Sequence, residues 1–315
     1  MRNEDEEIFR EADFVHFNCC PICESTQVEN IGMTSTIHPN SRFSVSIMRC
    51  LNCRHWYTDP TPKPELLSRL YAESSLSVLG ESWAKVVECS NQMDSVAPDS
   101  HWVVRSLSEV QPGNLLEVGP GDGSLLRKMR ERGWNAFGVD LGRYASGFQV
   151  VSSPDQLPKS ILFDVVIFQD VLEHTSSPSD VLSNYLDYLS PNAILFMTVP
   201  WSESKRAGLG KAGWEMVRPL GHLHYFSKQS ASILLKSRGF EVLASETVNI
   251  YGSYPIELAR SFLSVVYGSL RTSKWKSLYR RVRNFCRLLS LFPGDAAGDQ
   301  LYLKAQRTVR CKIKQ

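Results

Sequence analysis

From residue 115 onward, short apolar runs alternate with amphipathic stretches, which predicts strands separated by helices. Leu115 to Val118 is a short strand running into a glycine-rich turn, and Leu125 to Arg132 is helix-forming. Trp134 to Val139 predicts a second strand and Phe148 to Val151 a third. Phe163 to Gln169 is the continuous apolar kind of strand that a parallel sheet buries on both faces. A Ser/Pro/Asp loop then opens a helix, Val181 to Leu189, and Pro191-Asn192 turns into a fifth strand, Ala193 to Val199. Ser227 suits the N-cap of a helix over Lys228 to Arg238. Phe240 to Val248 and Gln300 to Ala305 supply a sixth and a seventh strand. The alternation predicts an α/β fold around a mostly parallel seven-stranded sheet. Only Leu141 to Gly147 separate the second strand region from the third, whereas a parallel crossover takes about a dozen residues. The second crossover helix is therefore expected to be reduced to a turn.

Upstream the pattern changes. Cys20-Pro21-Ile22-Cys23 and Cys50-Leu51-Asn52-Cys53 are two C-x2-C knuckles with 26 residues between Cys23 and Cys50. Four thiolates on two such turns are a tetrahedral set suited to structural zinc. The spacer exceeds the roughly 15–20 residues of the usual zinc-ribbon spacing, which longer strands explain. Ile31, Ile37, Phe43, Val45 and Ile47 predict a hairpin there, with a core so small that metal would supply much of its folding free energy. Cys19 is an alternative to Cys20, and His38 or His55 are alternative ligands; Cys89, Cys286 and Cys311 have no partners in sequence and are read as inert. The chain thus divides into an acidic tail (1–17), a zinc-binding, ribbon-like module (18–62), a helical linker or lid (63–108) and an α/β domain (109–315). Trp83 and Trp102 fit either core or lid.

Composition narrows the class. With 43% hydrophobic and 22% charged residues, the 315-residue chain has ordinary globular composition. Its net charge of +2 is too small to argue for nucleic acid, and none is expected as a partner. No apolar run approaches the ~18 residues of a membrane span, and the acidic start (Glu4 to Glu7) lacks the apolar stretch of a secretory signal. A cytoplasmic location is expected. Within 255–293, eight Lys and Arg residues face the single acid Glu257, interleaved with an apolar set that includes Leu263, Trp275, Tyr279 and Phe285. Two readings stand: a helical hairpin packed on the core, or a basic amphipathic surface in peripheral contact with the inner membrane face.

The turn after the first strand carries the chemistry. Glu117, Gly119, Gly121 and Gly123 follow one another at alternate positions, unlike the G-x-G-x-x-G of dinucleotide sites. The spacing resembles motif I of the class I S-adenosylmethionine-dependent methyltransferases, E/D-x-G-x-G-x-G, whose domain is Rossmann-like. The runs FDVVIFQDVLEH and SPNAILFMTVP are similar to that family's fourth and fifth strands. The resemblance implies S-adenosyl-L-methionine as cofactor, with the glycine turn facing its methionine and ribose portions and Glu117 near its ammonium group. Asp140, ending the second strand, suits the ribose hydroxyls. Asp155, after the third strand, is expected against adenine, and Gln169 and Asp170, at the end of the fourth, are assigned to the cofactor site.

On the acceptor side, Gly221-His222-Leu223-His224-Tyr225-Phe226-Ser227 resembles the H-x-x-Y/F-F-S/T element of the family. A zinc knuckle pair followed by an aromatic–Asp-Pro segment and a Leu/Tyr helix (Pro64 to Tyr71) is similar to a subgroup that often methylates sugars or glycan precursors. In sugar C-methyltransferases of that order, the first histidine of the element is the general base, which here is His222. The acid that precedes it in those enzymes is Gly221 here, so a structural role for His222 stands beside the catalytic one, and O-methylation is favoured over C-methylation. The implied reaction is methyl transfer to a small-molecule or glycan acceptor, foremost a sugar hydroxyl. The alternatives are a quinone or phenolic acceptor, C-methylation of a nucleotide-linked sugar, and a non-catalytic cofactor-binding module. Glu173-His174 matches an E-H pair of ubiquinone-pathway O-methyltransferases. It is read as ordering the loop and covering the pocket, since a single acid makes a poor magnesium site.

Overall fold

The computed structural model describes residues 10–38, 41–72, 96–141, 149–248 and 299–308. The 255–293 insertion, residues 73–95 of the linker with Trp83 and Cys89, and Cys286 and Cys311 lie outside the described residues, as does most of the short crossover after Asp140. In chain order the strands are β1 (Phe14–Val15), β2 (Val28–His38), β3 (Ser41–Cys50), β4 (Trp56–Asp59), β5 (Thr61–Pro62), β6 (Asn114–Val118), β7 (Asn135–Val139), β8 (Val150–Val151), β9 (Phe163–Gln169), β10 (Leu189–Pro200), β11 (His224–Tyr225), β12 (Phe240–Val248) and β13 (Gln300–Arg307).

The large sheet has seven strands in the order β12-β13-β10-β9-β6-β7-β8. From β8 to β10 all neighbours are parallel, and β13 pairs antiparallel with both β10 and β12. This is the Rossmann-like α/β fold expected. Successive residues of the central strands enter different cores. Leu116, Val166, Phe168, Leu195 and Met197 pack on one face, while Leu115, Val165, Ile167 and Phe196 pack on the other. The first face is covered by Leu182, Ala231, Leu234 and Leu235, and the second by Trp102 to Val104 with Leu125, Leu126 and Met129. Trp102 is core, edge-on to Phe196 at 5.0 Å. The apolar run without alternation is thus explained by helices on both sides.

One element differs from its sequence reading. The helix expected over Val181 to Leu189 spans Pro178–Ser183, capped by Ser177, and a single turn at Leu186–Tyr188 follows. Proline at the first helical position favours the earlier start. Leu189 is drawn into β10 beside Phe163, and that ladder breaks across Pro191-Asn192 before resuming at Ile194.

The smaller sheet runs β11-β4-β3-β2. Its long hairpin is β2–β3, and Gly32 at φ +144° is required where a Cβ would come within 2.8 Å of the Ala212 Cβ. The fourth strand comes from far along the chain: β11 pairs antiparallel with β4, His224 opposite Tyr57 and Tyr225 opposite Trp56. Val45, Ile47 and Trp56 share their core with Ala207, Trp214, Met216 and Tyr225. The 18–62 segment therefore completes its core with residues of the histidine loop region.

Candidate active site

β6 has β7 on one side and β9 on the other, so strand order reverses there and a crevice opens beyond their carboxyl ends. The glycine turn occupies that position. Gly119, Gly121 and Gly123 take φ of +67°, +53° and +73°, a left-handed region that favours glycine. The Gly119 amide donates to the Val139 carbonyl at 2.8 Å, and the Gly123 amide to the Pro120 carbonyl at 2.8 Å. A Cβ at Gly121 would meet nothing within 4 Å, so open space lies over that residue. At Gly119 it would approach Val171 Cγ2 to 2.7 Å, because the loop after β9 packs on the turn. The Gly121 amide donates to Asp140 Oδ2 at 3.3 Å, which puts the acid at the end of β7 beside the turn.

Glu117 is only 4% exposed, and its Oε2 is buried without a hydrogen-bond partner. Burial drives its carboxyl well above the ordinary range, and the nearby Asp122 and Asp140 carboxylates push in the same direction. Gln169 Oε1 accepts from His101 Nε2 at 3.0 Å, with Nε2 taken as the protonated nitrogen. Asp170 takes a left-handed φ of +53°, and its Oδ1 accepts from Gln300 Nε2 at 2.8 Å. Glu117, the three glycines, Asp140, Gln169 and Asp170 thus lie along the carboxyl edge of β7, β6 and β9. Asp155 lies at the sheet's margin, exposed on the one-turn helix Pro154–Gln156 after β8. An orphaned carboxylate oxygen, open space over a glycine and an acid beside the turn fit a cofactor that carries an ammonium group and a ribose. His101 and Gln300 were not singled out from sequence, where they stand as isolated polar residues.

The histidine loop meets the end of β9. His222 is 6% exposed, and its Nδ1 donates to the Met216 carbonyl at 2.7 Å. His174 Nδ1 donates to the Gly221 carbonyl at 2.7 Å, and the two imidazoles cross edge to face at 4.8 Å. Glu173 is buried, its Oε2 has no partner, and its Oε1 lies 4.0 Å from His174 Nε2. One ligand-capable atom from each of Glu173, His174 and His222 lies within 4.8 Å of the others. Burial disfavours charge throughout this group: the Glu173 carboxyl is raised well above its usual range, His222 is lowered well below its own, and His174 falls to about 4. The Leu223 amide donates to the Glu173 carbonyl at 2.7 Å, tying the two loops together.

In the amino-terminal module, the sulfurs of Cys20, Cys23, Cys50 and Cys53 lie within 4.8 Å of one another. Cys20 and Cys53 sulfurs are 3.6 Å apart, as are those of Cys23 and Cys50. Four thiolates about 2.3 Å from one zinc would be separated by about 3.8 Å, so the cluster matches a tetrahedral site. The residue after each knuckle, Glu24 or Arg54, takes φ of +59°, so the two turns share a conformation. Two of the alternatives do not join this group. Cys19 is outside it, and His55 instead pairs with His224, Nε2 to Nδ1 at 3.0 Å.

Residues 100–245 match the family model described as a methyltransferase domain. The match spans a little under half of the chain and supports a methyltransferase domain within it. No curated protein matches the chain at a significant level. Among solved structures it is similar to a SAM-dependent methyltransferase from Archaeoglobus fulgidus, with 16% identity over 75% of this chain and 99% of that one, at a TM-score of 0.44. It is similar to the 1,6-didemethyltoxoflavin-N1-methyltransferase of Burkholderia thailandensis, with 14% identity over 82% and 97% of the two chains and a TM-score of 0.46. Phosphoethanolamine N-methyltransferase 2 of Haemonchus contortus shows 14% identity over 87% of this chain and 71% of its own, with a TM-score of 0.48. Likenesses this distant carry no information about the acceptor. Among the described residues, no helix is long and apolar enough to cross a membrane.

Proposed function

We propose that the enzyme methylates an oxygen of a small-molecule or glycan acceptor, foremost a sugar hydroxyl. The observation that carries this reading is the buried Glu173–His174–His222 group, set against the glycine turn through Val171. When bound, the cofactor supplies a sulfonium methyl, so a carbon–sulfur bond breaks, a carbon–oxygen bond forms and the acceptor's proton must leave. Glu117 and Asp140 hold the amino and ribose ends of the cofactor, with Gln169, Asp170 and Asp155 completing its site. His222 takes the proton: its Nδ1–H is engaged by Met216, which leaves Nε2 as the basic nitrogen. His174, 25% exposed, crosses the His222 ring edge to face at 4.8 Å. Methyl-labelled cofactor incubated with a host extract split into lipid, sugar-nucleotide and phenolic fractions tests the acceptor class. Label in the sugar or glycolipid fraction is expected, and label confined to phenolics would overturn the carbohydrate assignment.

The cysteine cluster holds one structural zinc ion through Cys20, Cys23, Cys50 and Cys53. The 3.6 Å sulfur pairs support this ligand set. Metal analysis should find one zinc per chain, lost in the Cys20→Ser/Cys50→Ser double variant.

A further inference from the structure

We infer that Glu173 is a positioning residue for the base: its carboxylate, on the loop after β9, balances the imidazolium that forms when His222 takes the acceptor's proton. The inference rests on the methyl transfer proposed above and gives a task to a buried acid that this chemistry leaves unused. His222 has no such partner in sequence. Gly221 and Leu223 beside it carry no charge, and Arg218 of the same segment repels a charge on either histidine.

Three observations converge on Glu173. A carboxylate oxygen of Glu173 and one ring nitrogen from each of His174 and His222 lie within 4.8 Å of one another. An imidazolium shares its charge between both nitrogens, so a carboxylate at that range stabilises it whichever nitrogen is nearer. Next, Glu173 is 1% exposed, its Oε2 is buried with no partner, and its Oε1 lies 4.0 Å from His174 Nε2, beyond hydrogen-bond reach. An acid buried for stability alone would be hydrogen-bonded; this one stands ready for a charge that arrives during the reaction. Finally, backbone bonds hold acid and base at a fixed separation. The Leu223 amide donates to the Glu173 carbonyl at 2.7 Å, His222 Nδ1 donates to the Met216 carbonyl at 2.7 Å, and Tyr225 Oη donates to the His222 carbonyl at 2.8 Å.

The charge balance gives the role its direction. In the free protein, burial and the neighbouring Asp170 keep Glu173 protonated to higher pH than usual. The other titratable and charged groups facing the cluster are Arg218 and Tyr225. With a sulfonium bound at this edge of the sheet, Glu173 gives up its proton. As the carbon–sulfur pair returns to sulfur and the new carbon–oxygen bond forms, one positive charge is lost, and the O–H proton restores one on His222. Glu173 stays the anion throughout.

The test compares S-adenosylmethionine with S-adenosylhomocysteine by calorimetry of the full-length protein, each in buffers of different ionisation enthalpy. Both ligands carry the ammonium and ribose, so Glu117 contributes alike to both; only the first carries the sulfonium. At pH values below the raised one of Glu173, S-adenosylmethionine should release more protons, by up to about one per chain. The excess should vanish in Glu173→Gln, which should keep its affinity for S-adenosylhomocysteine, and persist in Asp170→Asn. Equal release from the two ligands in the unaltered protein, or an excess that survives Glu173→Gln, overturns the role. Protein that binds neither ligand loses the methyltransferase reading and this role together. An excess that depends on Glu173, with label confined to phenolics in the extract assay, costs the carbohydrate acceptor and upholds the role of Glu173.

Discussion

Glu117 occupies a position that disfavours its own charge: buried, partnerless at one oxygen, and facing the acids Asp122 and Asp140. In the free protein its carboxyl therefore keeps its proton to higher pH than usual. An ammonium group placed beside it would stabilise the carboxylate, so binding expels that proton. The sign follows: affinity for S-adenosylhomocysteine rises with pH until the pH passes the raised value of the free protein, and levels off above it. Calorimetry in two buffers of different ionisation enthalpy should report proton release on binding at pH values below that raised one. Glu117→Gln should abolish the release and weaken binding by about tenfold, the scale of one lost charge-assisted hydrogen bond. Release unchanged in the variant would remove Glu117 from the cofactor site. Glu117, the glycines and Asp140 could be read from sequence because the turn is local and its spacing unusual. The partners of Gln169 and Asp170 could not. His101 is 68 residues from the first and Gln300 is 130 from the second, and neither distance leaves a trace in local pattern.

The second knuckle and the histidine loop, which is proposed to serve the acceptor, are stitched together. Ser227 Oγ caps the helix Lys228–Ser237 by accepting from Ser230 N at 2.8 Å and donates to the Cys53 carbonyl at 2.6 Å. Thr58 N donates to the Leu223 carbonyl at 3.0 Å, and Ser202 Oγ to the Arg54 carbonyl at 3.1 Å. Sequence gave each element separately, the knuckles from their spacing and the loop from its histidines. The β4–β11 pairing that joins them is two residues long, too short for any periodicity to reveal. If zinc fixes the knuckle, its removal should loosen the loop. Chelation is expected to raise amide exchange across residues 221–227 and to lower turnover. Affinity for S-adenosylhomocysteine should stay within about twofold, because motif I rests on the large sheet. Exchange that is unaltered after zinc loss would show that the loop holds its place without the knuckle.

At the scale of the whole molecule, the shared cores decide how the chain unfolds. Trp56 meets Trp214 edge-on at 6.2 Å, so the hairpin region and the 205–225 segment bury each other's largest side chains. Ile22 of the first knuckle packs on the main core, and Ile233 of the helix Lys228–Ser237 packs on the cysteines. Each such side chain contributes about 1.5–3 kcal/mol by burial, and opening the small sheet alone would expose several at once. That exceeds a sizeable share of the stability of a typical domain, about 5–15 kcal/mol. The amino-terminal sheet should therefore not melt as an independent unit, even though its cysteines read as a separate module. Calorimetry is expected to show one transition for the zinc-loaded protein. Chelation should move that whole transition down by about 10 °C or more, as the loss of several kcal/mol of metal-linked folding energy implies for a chain of this size. Two resolved transitions, with only the lower one sensitive to chelator, would show instead that the 18–62 segment folds on its own and merely leans on the domain that follows.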